Sequence, residues 1–380
     1  MKSLSKTYVK ITDVFADKIT KMIRNIFGKT ECSGFCGVPL VMAALILLSL
    51  NLCGCAAGDE NNFKGAKNAE ETILNGAKSA EEGASRITIV STIFPGYDFA
   101  RNIVGDNADV YQLLKPGAES HSYEPTPQDI ILIKNCDIFI YPGGESDAWL
   151  ETILESAEVS DKCVISMLDT VKPLGEEEKE GMREGGILAE YFMGEAADED
   201  AEWDEHVWTS PVNAIAISQA ICERLCEIDT AGSEIYRKNC DNYVNKLCKL
   251  DKDMRDQLSA ACAKSGRNTI VVADRFPFRY LCEEYGLDYY GAFPGCSEDA
   301  EITASSLIFL SDKVFEDKIP VVFYIEFSNE KIADSICEVT GAKKSLLHSC
   351  HNVSAKEIKE GHDYISIMYD NLSALKEALL

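Results

Sequence analysis

Between Tyr236 and Ala261 apolar residues recur at Tyr236, Cys240, Tyr243, Leu247, Leu250, Met254, Leu258 and Ala261, separated mostly by polar ones. Steps of three and four put all eight on one side of a helix and commit the segment to a single continuous element. A helix of about 26 residues runs about 39 Å at 1.5 Å per residue. That length exceeds what one small layer of strands and helices can cover, so the stripe has to serve two lobes.

The flanking sequence supplies two such lobes. Ahead of the stripe, apolar strand-like runs "RITIVSTI", "ADVYQLL", "DIFIY" and "CVISML" alternate with helical patterns. One of these opens at Thr126-Pro127 with an N-cap and a first-turn proline. A Pro-Gly turn at Pro95-Gly96 is expected after the first run. Behind the stripe, "NTIVVAD", "GLDYYGAF", "IPVVFYIEF" and "KSLLHSC" are separated by helices expected over Phe276–Tyr285, Thr303–Phe315 and Asn329–Thr340, and "DYISIMYDNLSALKEAL" closes the chain. Strands alternating with helices of ten to fifteen residues make βαβ units. The predicted fold is α/β: two lobes, each with a mostly parallel sheet flanked by helices, joined by a long rigid linking helix.

The N-terminus stands outside that fold. Lys18, Lys21, Arg24 and Lys29 precede the apolar run Val38–Cys53, the layout of an export signal and shorter than the roughly 20 residues of a comfortable membrane span. The run ends in "LCGC", so residues 1–54 read as a signal peptide with a lipobox and Cys55 as the lipidated first residue of the mature chain. Residues 55–86 are polar and small, a flexible tether. The first lobe is expected over 87–229, the linking helix over 230–266 and the second lobe over 267–380. A loop at 175–205 breaks the first lobe; from Glu176 to Glu205 it carries thirteen Asp/Glu against two Lys/Arg.

Net charge is -26, and about -30 without residues 1–54, which hold seven Lys/Arg and three Asp/Glu. Such a balance argues against nucleic acid as a partner and suits cations, or simply solubility. The 15 cysteines are scattered. Cys222, Cys226, Cys240, Cys248 and Cys262 sit at helical spacing among apolar residues and read as small core residues.

In open parallel sheets ligands gather outside the carboxyl ends of the strands. His121 follows the strand ending at Leu114, Asp274 follows "TIVVA", Glu326 ends "PVVFYI" and His348 ends "SLL", while His206 enters a helix. Glu326 needs a cationic partner if buried, either a metal or an arginine such as Arg275 or Arg279. Two histidines with one or two carboxylates make a closed site for Zn2+ or Mn2+. Taken singly, His121 and His206 are equally ordinary surface or supporting histidines. HExxH, paired CxxC, a Gly-rich phosphate loop and GxSxG are all absent.

From Ile87 to the C-terminus the chain resembles the zinc/manganese ABC-importer substrate-binding lipoproteins, the cluster A-I metal-binding proteins. The resemblance rests on "STIFPGYDFARNIVGDNADVYQLLKPGAESHSYEPTPQDI", "DEHVWTSPVNAI", "YIEFSNEKIADSICEVTGAK" and "YISIMYDNLSAL". It implies metal ligands at His121 and His206. The third ligand of zinc members, a histidine before "EYGL", falls here on Asp274 or Arg275, and of these only Asp274 binds a cation. Glu326 matches one family solution for the fourth ligand, while the loop "LLHSCHN" offers His348 or His351. Cys296 and Cys350 could form a disulfide beside the site.

The resemblance further implies a monomeric lipoprotein held to the extracytoplasmic face of the cell membrane. It would capture Zn2+, with Mn2+ as alternative, and deliver the ion to an ABC permease and its ATPase without catalysis. A secreted zinc-dependent hydrolase would use similar ligands but keep a bound water and need a general base. An adhesin on the same scaffold is the other rival.

Overall fold

Eight strands carry the described part of the chain, and each lies within one of the apolar runs. β1 (Ile87–Ser91), β2 (Ala108–Gln112), β3 (Ile138–Tyr141) and β4 (Val164–Ser166) pair in parallel in the order β2-β1-β3-β4. β5 (Thr269–Arg275), β6 (Asp288–Phe293), β7 (Val321–Tyr324) and β8 (Lys343–Leu346) repeat the arrangement as β6-β5-β7-β8. The structure is a computed structural model that describes residues 86–119, 123–144, 147, 149–150, 153, 164–182, 203–296 and 302–380. The signal segment, the lipobox with Cys55, the tether, His121 and residues 183–202 of the acidic loop lie outside the described residues. Among the described residues no helix is long and apolar enough to cross a membrane.

The inner strands β1, β3, β5 and β7 read as apolar runs because both faces of each sheet are covered there, whereas the edge strand β8 is largely exposed. Successive residues feed different cores. Ile89, Ile138 and Ile140 join a central core, whereas Val90 and Phe139 join an outer one. In the second sheet Ile270, Val272, Val321 and Phe323 enter that same central core, whereas Val271 and Val322 face outward.

The linking helix occupies the middle of that shared core. It spans Ser233–Ser265, 33 residues, and its buried positions are the eight of the apolar stripe. The polar first turn, which the stripe does not mark, accounts for the extra length at the start. Gly266, at φ 76°, ends it in the left-handed conformation. Packed around the stripe are helix α1 (Phe94–Val104) and helix α3 (Pro211–Ile228) from the first half, with the closing helix α9 (Tyr364–Leu379) from the second. Asp98 of α1 ties three of these elements together. Its carboxylate accepts from Tyr243 Oη of the linking helix at 3.3 Å, from the Tyr364 backbone N–H that opens α9 at 3.2 Å, and from Arg101 at 2.6 Å.

Two boundaries differ from the sequence expectation. Pro95 and Gly96 do not form a turn; they lie in the first turn of α1, where a missing N–H costs nothing. The helix expected over Phe276–Tyr285 begins only at Arg279. Pro277 disfavours helical backbone at the residue before it, so the Phe276–Phe278 stretch stays out of the helix.

Candidate metal centre

The loops at the carboxyl ends of both sheets converge on Glu205, His206 and His351, whose donor atoms all lie within 4.8 Å of one another. Among the described residues this is the group that could hold a metal ion. All three are buried. Glu205 and His206 belong to the segment that enters α3 through a short 3-10 turn, Val207–Thr209. His351 stands in the loop after β8. The imidazole rings meet edge to face at 4.8 Å, and Trp208, itself fully buried, packs edge-on against His351 at 4.8 Å. The Trp208 indole N–H donates to the Ser349 carbonyl at 2.8 Å and so fixes the aromatic wall to the His351 loop.

Each imidazole has a partner that orients it. Asp204 Oδ1 lies 3.0 Å from His206 Nδ1 and also accepts the His206 backbone N–H at 2.8 Å. With Nδ1 engaged by a carboxylate, Nε2 is the nitrogen that would ligate a metal, as in carboxylate–histidine–zinc triads. Burial works against charge on His206, but Asp204, together with Glu205 and Glu176, outweighs it and raises the ring's pKa above its ordinary value. On the other side Glu326 accepts both the N–H and the hydroxyl of Ser349. The Ser349 oxygen is in turn 3.3 Å from His351 Nδ1. Because that hydroxyl donates to Glu326, it accepts from Nδ1–H, which again leaves Nε2 as the ligating atom.

Two glycines make room for the donors. A Cβ on Gly144 would lie 2.4 Å from Glu205 Oε2, and one on Gly295 would lie 3.0 Å from His206 Cε1. Any side chain at 144 would displace the carboxylate.

Asn352 joins the two halves of the site. Its amide donates to the carbonyls of Lys115 at 2.7 Å and Ala118 at 2.9 Å, and its oxygen accepts from Gln112 at 2.9 Å. The residue beside His351 therefore clamps the loop that leads to His121. Asn352→Ala leaves two loop carbonyls without a donor. We expect a loss of about 2–3 kcal/mol in urea unfolding and about tenfold in metal affinity; a loss below about 0.5 kcal/mol, the range of ordinary surface substitutions, would refute the clamp.

Of the residues expected from sequence, His206 stands in the centre and His121 lies outside the described residues. Asp274, Glu326 and His348 are not brought into the donor group. Asp274 lines a cavity of about 150 Å³ with Ser328 and Asn329, which adjoins the one lined by His351 and shares Glu119, Arg275 and Glu326 with it. Its carboxylate accepts the Arg275 N–H at 2.9 Å, and burial raises its pKa. A break in the β5–β6 register between Val272 and Arg275 disturbs the alternation there, so period alone could not say which of Asp274 and Arg275 faces the donors. Arg275 is the one that lines a cavity with His351 and Ser349, and it pairs with Glu119 at 3.6 Å. Glu326 is linked to His351 through Ser349 and is not part of the grouped donors.

His348 is turned the other way. Its Nδ1 accepts the Cys350 N–H at 2.9 Å, and Glu326 and Glu357 lie 3.5 Å and 3.4 Å from its two ring nitrogens. Burial disfavours charge on the ring, yet these carboxylates prevail and raise its pKa well above the usual value. Between the two histidines Cys350 adopts φ 63°, uncommon for a non-glycine residue, and the chain reverses there. Cys296 and Cys350, which the resemblance would pair, stand as free thiols in this structure. The Cys296 thiol is pushed up by burial and by Glu205, whereas Cys350 lies against His348.

Sequence reasoning missed Glu205, although an acidic residue directly before a candidate histidine was a usable signal. His351 was one of two alternatives, and nothing in the sequence separated it from His348.

Comparison with known proteins places these features in context. The family model ZnuA, described as the periplasmic component A of a zinc-uptake complex, matches residues 89–378. The zinc-binding lipoprotein AdcA of Streptococcus pneumoniae is 31% identical over 293 residues, which is 77% of this chain and 56% of that protein. The chain thus spans about half the length of that relative. The high-affinity zinc uptake system protein ZnuA of Bacillus subtilis is 32% identical over 297 residues, covering 78% of this chain and 88% of its own length. Among solved structures, Zn(II)-bound AdcA from S. pneumoniae superposes with a TM-score of 0.62 at 28% identity, over 77% of this chain and 58% of that one. The metal-dependent lipoprotein YcdH from B. subtilis gives a TM-score of 0.62 at 30% identity, over 77% and 100%.

Proposed function

This chain belongs to the ZnuA family of zinc-uptake components, and on that premise we propose that it captures Zn2+ outside the cytoplasm and delivers it to an ABC permease driven by an ATPase. The observation that carries the reading is the convergence of Glu205, His206 and His351 donors within 4.8 Å, each histidine held at Nδ1. His121 is assigned as a further ligand. The described residues on either side of its loop support this, since Glu119 and Tyr123 both line cavities that include His351.

Three imidazoles and one carboxylate form a nitrogen-rich set, which suits Zn2+ better than Mn2+. The two cavities lined by His351 measure about 10 and 20 Å³. Each is about the size of one water or one ion. Lipid attachment at Cys55 would keep the monomeric protein at the membrane surface.

Native mass spectrometry with equimolar Zn2+ and Mn2+ tests the proposal. One Zn2+ per chain is expected, displacing Mn2+, and His121→Ala should weaken it. Preferential retention of Mn2+ would defeat the zinc assignment, and full affinity in His121→Ala would remove that residue from the ligand set.

A further inference from the structure

Three thiols outside the metal centre lie together where α3 meets the linking helix, α4 (Ser233–Ser265). Cys222 and Cys226 sit one turn apart on α3, and Cys240 is on α4; all are buried, at 6%, 7% and 4% exposure. The two helices are joined by residues 229–232 alone and pack their buried faces together in the central core. In such a hairpin, residues equidistant from the tip face each other. Cys222 and Cys240 lie nine residues before and nine residues after Ala231.

Sulfur contacts agree with that register. The Cys240 thiol donates to the Ser218 carbonyl at 3.7 Å, one turn before Cys222. The Cys226 thiol instead donates to the Ser233 carbonyl at 3.7 Å, across the tip. Cys222 and Cys240 also act on each other's ionisation, with Cys222 raised and Cys240 lowered, chiefly through their mutual contact. In neither case does a metal donor or a catalytic group account for the thiols.

We propose that Cys222 and Cys240 are a disulfide-forming pair that staples the helix following His206 to the linking helix, oxidised by exchange with an external small-molecule or protein disulfide. The Cys240 thiolate attacks one sulfur of the external disulfide and expels the first thiol, giving a mixed disulfide. Cys222 then loses its proton, attacks Cys240 Sγ and expels the second thiol. Two protein thiols become one S–S bond, and the two electrons and two protons leave on the two released thiols. Because both cysteines are buried, exchange takes place while the hairpin forms or opens locally. The staple is independent of the zinc reading, and its test needs no metal.

Fully reduced chain is refolded in oxidised and reduced glutathione, blocked with iodoacetamide and digested with trypsin without reduction. Cleavage after Arg224, Arg237 and Lys238 puts Cys222, Cys226 and Cys240 into three different peptides. The expected product links the peptide ending at Arg224 to the one beginning at Asn239, with Cys226 alkylated, and Cys226→Ser retains that link. Closing this loop should raise Tm by about 5 °C over the reduced chain, reversibly with dithiothreitol. Recovery of Cys222 and Cys240 both alkylated would overturn the proposal. So would a link through the Cys226 peptide, or a cross-linked chain that melts with the reduced one.

Discussion

Replacing His206 or His351 by alanine is expected to lower Zn2+ affinity about a thousandfold, roughly 4 kcal/mol. Each substitution removes one imidazole from a buried group whose atoms lie within 4.8 Å of one another. Orienting residues should matter less. Asp204→Ala leaves Nε2 of His206 in place but releases the ring, a loss of about 10–100-fold. Asp274→Ala should change affinity little, since that carboxylate is not among the grouped donors. Competition titrations with a zinc chelator would rank the four variants. If Asp274→Ala lost as much as His351→Ala, the donor set described above would be wrong.

The second large effect concerns stability. Burial outweighs its hydrogen-bond partners and raises the Asp98 pKa from 3.8 to about 6. The native state therefore binds a proton that the unfolded state has already released between these two values. Stability from this group is fully present below pH 3.8 and is lost as pH rises through about 6, by an amount of about 3 kcal/mol. Asp98→Asn does not titrate. Urea unfolding at pH 4 and pH 7 should show the variant gaining about 3 kcal/mol relative to wild type across that interval. Other groups titrate equally in both proteins and cancel. A difference that stays constant with pH would show that Asp98 is not held in a water-poor junction.

The residues behind these two predictions differ in how visible they were. His206 stands in the segment "DEHVWTSPVNAI", and the family resemblance, not its spacing alone, marked it. His351 was not singled out, because a three-residue separation from His348 in a loop carries no periodicity. Only the reversal at Cys350 sends one ring to Glu326 and Glu357 and the other to Glu205. Nothing in the sequence around Asp98 marks it as buried. Its burial comes from the linking helix and the closing helix meeting over it, contacts 145 and 266 residues away in sequence. Glu326 was rightly expected to need a partner. In the structure the N–H and hydroxyl of Ser349 donate to it, and His348 Nδ1 lies 3.5 Å away.

Sequence alone determined the eight strands, the two parallel sheets and the helix between them. These rest on local periodicity: an apolar run covered on both faces, or a stripe of eight positions, reports burial wherever the partner comes from. Tertiary structure decided which strand-end groups face one another. A register break in β5, a left-handed residue at Cys350 and the clamp at Asn352 rotate side chains by amounts that no pattern of residue types encodes. Ligand geometry depends on those rotations, so the scaffold could be read from the chain, whereas the completed donor set required the fold.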